Sequence, residues 1–149
     1  MFGAVLGTVT VAAATGCAAA GDDGVAASLA GPTWQIVGVY TDPNLPGDLP
    51  GDAAGTASLT FGARSMKGQT SCAPLRATIT AEGTHLRLDE VEIDDAGNCT
   101  GGARHTHDQL AGILTPGASF EVRRYGDAEA LLTSNRGELN SPSIRVMTL

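Results

Sequence analysis

Arg76-Ala-Thr-Ile-Thr80 and His85-Leu-Arg-Leu-Asp-Glu-Val-Glu-Ile93, with Glu82-Gly83 between them, decide the fold class of this chain. In the second segment Leu86 and Leu88 fall on one side, and Arg87 and Asp89 on the other. That period of two belongs to a strand with one face toward a core and the other toward water. The Glu-Gly step reads as a turn, which makes the two segments antiparallel neighbours.

The same texture extends in both directions. Thr33-Trp-Gln-Ile-Val-Gly-Val-Tyr40 starts after Pro32 and sets Trp34, Ile36 and Gly38 on one face against Val37 and Val39 on the other. Ala57-Ser-Leu-Thr-Phe61 is a short strand, and Met66–Ser71 leads into Cys72. Ser119–Tyr125, Glu129–Ser134 and Ser143–Leu149 close the chain, with turns at Gly126-Asp127 and Asn135-Arg136-Gly137. Thr41–Gly55, rich in Pro, Gly and Asp, is a long loop, and Asp94–Gly102 is a second one that carries Cys99. Only Arg104–Leu114 changes period: His107, Leu110, Ala111 and Leu114 recur at helical spacing until Pro116 and Gly117 stop the helix. The expected fold is α+β and mostly β: a small antiparallel sheet or partial barrel, with one helix capping or plugging an end.

The N-terminus reads differently. Met1–Ala14 is an uncharged run of apolar and small residues. It is shorter than the roughly 20 apolar residues that span a bilayer, and it has the size of a signal-peptide core. It runs into Ala14-Thr15-Gly16-Cys17, which resembles a bacterial lipobox, in which the Cys is acylated and the peptide is cut before it. The expected organisation is a signal peptide over 1–16, a flexible tether over 17–28 beginning at the lipidated Cys17, and one domain over 29–149. The competing reading makes Met1–Ala14 a buried segment and Cys17 a third core thiol; the small, polar, Gly-containing stretch that follows argues for the tether.

With Cys17 assigned to lipid, Cys72 and Cys99 remain as a pair. In an oxidising compartment a disulfide follows, and closing that loop restricts the unfolded chain by about 3.5 kcal/mol in the loop-entropy model. Zinc lacks a C-x-x-C spacing to support it. A catalytic Cys would need a His partner, for which His105 and His107 are the candidates.

The formal charge of -7 over 149 residues excludes a phosphate-binding surface for nucleic acid, and a polybasic membrane patch as well. Lys67 is the single Lys. The expected partners are the membrane, through the lipid anchor, and an envelope protein or small ligand.

Several of these features occur in a familiar order. They are the Leu29-Ala-Gly-Pro-Thr-Trp34 opening, the Leu59-Thr-Phe61 strand, Gly68-Gln-Thr-Ser-Cys72, a second Cys ahead of one helix, Phe120-Glu-Val, and Leu131-Leu132. The order resembles the META domain family of HslJ-like bacterial lipoproteins over about residues 29–149. The resemblance implies a small β-rich extracytoplasmic domain with a role in envelope stress or adhesion, and it implies no agreed enzymatic activity.

The densest polar cluster is His105-Thr-His107-Asp108, a weak metal candidate. In a first helical turn His105 and Asp108 share a face while His107 points elsewhere, which is a poor chelate. His85 and the Asp94-Asp95 pair lie apart from it. There is no G-x-S-x-G elbow and no phosphate loop, so Ser71 reads as a turn residue. The paired carboxylates Asp89/Glu90 are strand neighbours that face opposite ways, and Trp34 reads as a core anchor. These observations imply no cofactor. They point to a non-enzymatic, lipid-anchored extracytoplasmic protein acting through contacts. The alternatives are a barrel-like carrier of a small hydrophobic ligand, an inhibitor of a secreted enzyme, and an enzyme built on His105, His107 and Asp108.

Overall fold

Strand follows strand in an unbroken antiparallel meander. The computed structural model describes residues 24–137 and 140–149. The strands are β1 (Thr33–Tyr40), β2 (Ala57–Phe61), β3 (Ser65–Thr70), β4 (Pro74–Glu82), β5 (His85–Ile93), β6 (Ser119–Arg124), β7 (Glu129–Ser134) and β8 (Ser143–Met147). Each pairs with the next, and β8 returns to β1, so eight strands close a barrel. The expectation of a mostly β antiparallel fold with a barrel component therefore holds, and the sheet is closed rather than partial. Closure removes most of the unpaired edges that a short open sheet would expose.

Alternation fills the barrel. Trp34, Ile36, Leu59, Met66, Leu86, Leu88, Phe120, Leu132 and Ile144 all point inward and are almost fully buried. An eight-stranded barrel has an interior just wide enough for such side chains. Along β1 the expected face assignment needs correction. The register against β8 shifts between Ile36 and Gly38, so a bulge at Val37 turns Val39 inward beside Trp34 and Ile36.

Among the described residues there are two helices, one at each end of the barrel. The helix α2 (Gly101–Ile113) spans the β5–β6 connection and buries Thr106, His107, Leu110 and Ile113. The second, α1 (Gly24–Leu29), corrects the tether. Residues 24–28 are helical, and Val25, Ala26 and Leu29 join the core. The packed core therefore includes residues N-terminal to 29, reaching back to Val25 among the described residues. The readings of Met1–Ala14 as a signal and of Cys17 as a lipid anchor lie outside the described residues. No described helix is long and apolar enough to cross a membrane.

The lower plug is held by specific bonds. Val25 N–H donates to the Gly83 carbonyl in the β4–β5 turn at 2.8 Å. The Trp34 indole N–H donates to the Leu29 carbonyl at 2.8 Å. Arg124 lies with its guanidinium carbon 4.8 Å from the Trp34 ring centroid and donates to the Ser28 carbonyl and to Gly126 and Asp127 of the β6–β7 turn. One side chain thus ties plug, core aromatic and turn together.

Candidate functional site

Two places on the barrel concentrate polar chemistry: the end capped by α2, and the outer face of the β4–β5 hairpin.

At the capped end, the β3–β4 turn is built around Ser71, whose φ of 90° is unusual for a residue with a side chain. Thr70 N–H donates to the Ala73 carbonyl at 2.9 Å, and Ala73 N–H donates back to Thr70 Oγ1 at 3.1 Å. Cys72, in the same turn, is disulfide-bonded to Cys99 just before α2, with Cα atoms 5.7 Å apart. The bond staples the cap to the barrel rim. Beside it, His107 Nδ1 lies 2.6 Å from Thr70 Oγ1, and both residues are buried. That hydrogen bond satisfies a ring nitrogen that burial would otherwise leave unpaired. Asp52 adds a further contact from the β1–β2 loop, accepting from Ala103 N–H at 3.2 Å. Ser71 Oγ and Thr106 Oγ1 are buried here with no hydrogen-bond partner among the described residues.

The helix disperses the His-rich cluster. His107 turns into the protein toward Thr70, His105 is exposed, and Asp108 is exposed and pairs with Arg104 at 3.1 Å. Among the described residues no group of three His, Cys, Asp or Glu side chains is placed to hold a metal ion. His85 lies at the opposite end of the barrel, beside the β4–β5 turn. Trp34 is 1% exposed and belongs to the core.

The hairpin face is different in kind. Its charges project from a paired sheet. Arg76 on β4 faces Glu92 on β5, and their two bonds at 2.8 and 2.7 Å are bidentate. The Arg76 hydrogen bond and its positive charge hold the Glu92 carboxyl below the usual range. Asp89 accepts from Thr80 Oγ1 at 2.7 Å and from Arg87 Nε at 2.8 Å, and these bonds, the Thr80 one first, lower its pKa. Asp89 owes this position to a register shift between Thr78 and Ile79. The residue pattern alone did not show the shift, because a bulge is visible only once both strands are paired. Glu90 and Asp94 are exposed on the same outer side, and neither makes an ion pair among the described residues.

Neither a protein-family model nor a curated protein matches this chain. Two solved structures resemble it in shape. One is an NMR structure of a protein from Burkholderia xenovorans, with a TM-score of 0.64 and 12% identity, covering 84% of this chain and 86% of that one. The other is also an NMR structure, with a TM-score of 0.55 and 11% identity, covering 83% of this chain and 93% of that one. At such identities the likeness concerns the fold alone. It supports the barrel and leaves the META resemblance as a reading of the motifs.

Proposed function

We propose that this chain is an extracytoplasmic lipoprotein of the cell envelope, held to the membrane through an acylated Cys17. Its META-like barrel acts by binding an envelope protein or ligand on its outer surface rather than by turning over a substrate. The observation that carries this reading is the Cys72–Cys99 disulfide between the barrel rim and α2. Disulfides of this structural kind form and persist in oxidising compartments and are rare where thiols are kept reduced. The filled interior adds to it. Inward side chains of all eight strands and both helices form one apolar cluster. That weighs against a carrier, which needs an internal space, and moves recognition to the outside of the barrel.

The test is the intact mass of protein extracted from membranes, before and after reduction. The reading expects a mass equal to residues 17–149 plus acyl groups, with a gain of two hydrogens on reduction. An unacylated chain recovered from the cytosol with free thiols at Cys72 and Cys99 would overturn it.

A further inference from the structure

Two seams of the barrel are short: β1 pairs with β2 only over Thr33–Gln35, where the β1–β2 loop then takes over through the Gly38–Asp48 bridge and the Val39 N–H bond to the Gly47 carbonyl, and β5 pairs only briefly with β6. β4 and β5 pair along their whole length, but β5 pairs with β6 only from His85 to Arg87. Leu88 adds the last bonds on that side, donating to the Ala118 carbonyl at 2.8 Å and accepting from Gly117 N–H at 2.7 Å. Beyond it the chain that would have continued β6 is diverted into α2.

The register shows which backbone groups this leaves open. Asp94 N–H donates to the Pro74 carbonyl, and Ile79 N–H donates away from β5, to Arg64. By antiparallel alternation, Glu90 and Glu92 direct their backbone groups toward β4, while Val91 and Ile93 direct theirs away from it. Among the described residues, no backbone or side-chain hydrogen bond is made on that side by Val91 or Ile93. Both side chains are only partly buried, although their β4 neighbours Ala77 and Leu75 lie in the core. An open groove lined by Arg76, Thr78, Glu90, Val91 and Glu92 lies on this part of the hairpin.

We infer that the Val91–Ile93 edge accepts an extended peptide segment as an additional strand, and that this segment is cationic. The inference rests on the reading of the domain as a binding module, and not on its anchor. Strand addition uses a row of unpaired N–H and C=O groups for affinity and neighbouring side chains for selection. The selecting side chains are Glu90, Glu92 and Asp94, which recur at every second residue on the outer side. Arg76 pairs with Glu92 and also acts on Asp94, so one positive charge faces three carboxylates and the row keeps an acidic excess. Arg or Lys at alternate positions of the incoming strand would stand across from these carboxylates. A second copy of this chain fits poorly. Antiparallel pairing about Val91 would set each Glu90 opposite a Glu92, and like charges in that position repel.

The test uses the disulfide-intact domain and a fluorescent peptide alternating Arg and Val, read by anisotropy. A peptide alternating Glu and Val serves as one control. A second control is the cationic peptide N-methylated at alternate residues, which removes its strand-pairing donors without changing its charge. Saturable binding of the cationic peptide is expected, weakened about tenfold or more by N-methylation, because several hydrogen bonds are lost together. Val91→Pro should produce a similar loss, since it deletes the edge N–H at a position where a sheet tolerates Pro. Glu90→Lys should weaken binding and flatten its salt dependence. Three results would overturn the proposal: no binding at millimolar peptide, equal binding of the acidic peptide, or binding indifferent to N-methylation. Self-association of the domain that Val91→Pro abolishes would also overturn it, by making a second copy the occupant. The N-methylated peptide keeps the test decisive even if Val91→Pro fails to fold. None of these outcomes alters the mass measurement that tests the anchor and the disulfide.

Discussion

The indole N–H of Trp34 donates to the carbonyl of Leu29 across 2.8 Å of buried space, joining the first strand of the barrel to the helix that plugs its lower end. Trp34 and Leu29 are 1% and 0% exposed. Replacing Trp34 with Phe keeps an aromatic ring but leaves the Leu29 carbonyl without its donor. The expected cost is about 1–3 kcal/mol for the stranded acceptor, with a further contribution from the smaller ring and the weakened Arg124 contact. Urea unfolding should show a lower midpoint with little change in slope. A midpoint equal to that of the parent protein would mean that the plug does not depend on this bond.

Gly68 marks a position where no side chain fits. A Cβ added there would lie 1.9 Å from the Ser58 carbonyl oxygen on β2. The obstacle is backbone, so it cannot swing aside, and β2 and β3 would have to separate. Gly68→Ala should therefore destabilise the domain by more than about 2 kcal/mol, although Ala is otherwise a mild substitution in a strand. Gly83→Ala offers the contrast. Nothing lies within 4 Å of its added Cβ, so its cost comes only from a φ of +57°. Thermal melts of the two variants should rank them in that order.

Breaking the Cys72–Cys99 bond should cost about 3.5 kcal/mol, the loop-closure value for a separation of 27 residues. The double substitution to Ser tests this by equilibrium unfolding against the oxidised parent. The loss should be concentrated at the capped end. Hydrogen exchange should accelerate in α2 and the β3–β4 turn before it does in β6, β7 or β8. Uniform acceleration over the barrel would contradict the placement of the staple.

Acid should loosen the hairpin face. Asp89 and Glu92 both have folded-state pKa values below their unfolded ones, the first through Thr80 and Arg87, the second through Arg76. A depressed carboxylate contributes stability above its unfolded pKa and loses it as pH falls through the folded one. Stability should thus decline below the ordinary carboxylate range, and Thr80→Val should raise the Asp89 pKa toward its usual value. Carboxyl chemical shifts followed through an acid titration measure both. Because these side chains face water, the effect should shrink as salt is added.

Strand positions were legible because alternation is a local signal. β1, β2, β5 and β7 lie where the apolar–polar period placed them, and the helix at Arg104–Leu114 differs from α2 only at its ends. The pattern could not show the bulges at Val37 and Asp89, since a bulge is a mismatch between two strands and has no signature in one. Nor could it show which polar residues meet. His105, His107 and Asp108 are close neighbours in sequence, yet the helix sends His107 to Thr70 and leaves the other two in water.

Taken alone, the sequence determined the run of short amphipathic strands, the single interposed helical segment between Cys99 and Phe120, and a net acidic charge. Each of these depends on the spacing or charge of residues close together in the chain. The tertiary structure decided the closure of β8 onto β1, the use of Gly24–Leu29 as a plug, and the open edge at Val91 and Ile93. The reason is physical. A helix of six residues that buries three apolar side chains has no stability of its own, and it becomes ordered only where the mouth of a barrel offers Val25, Ala26 and Leu29 a core to enter.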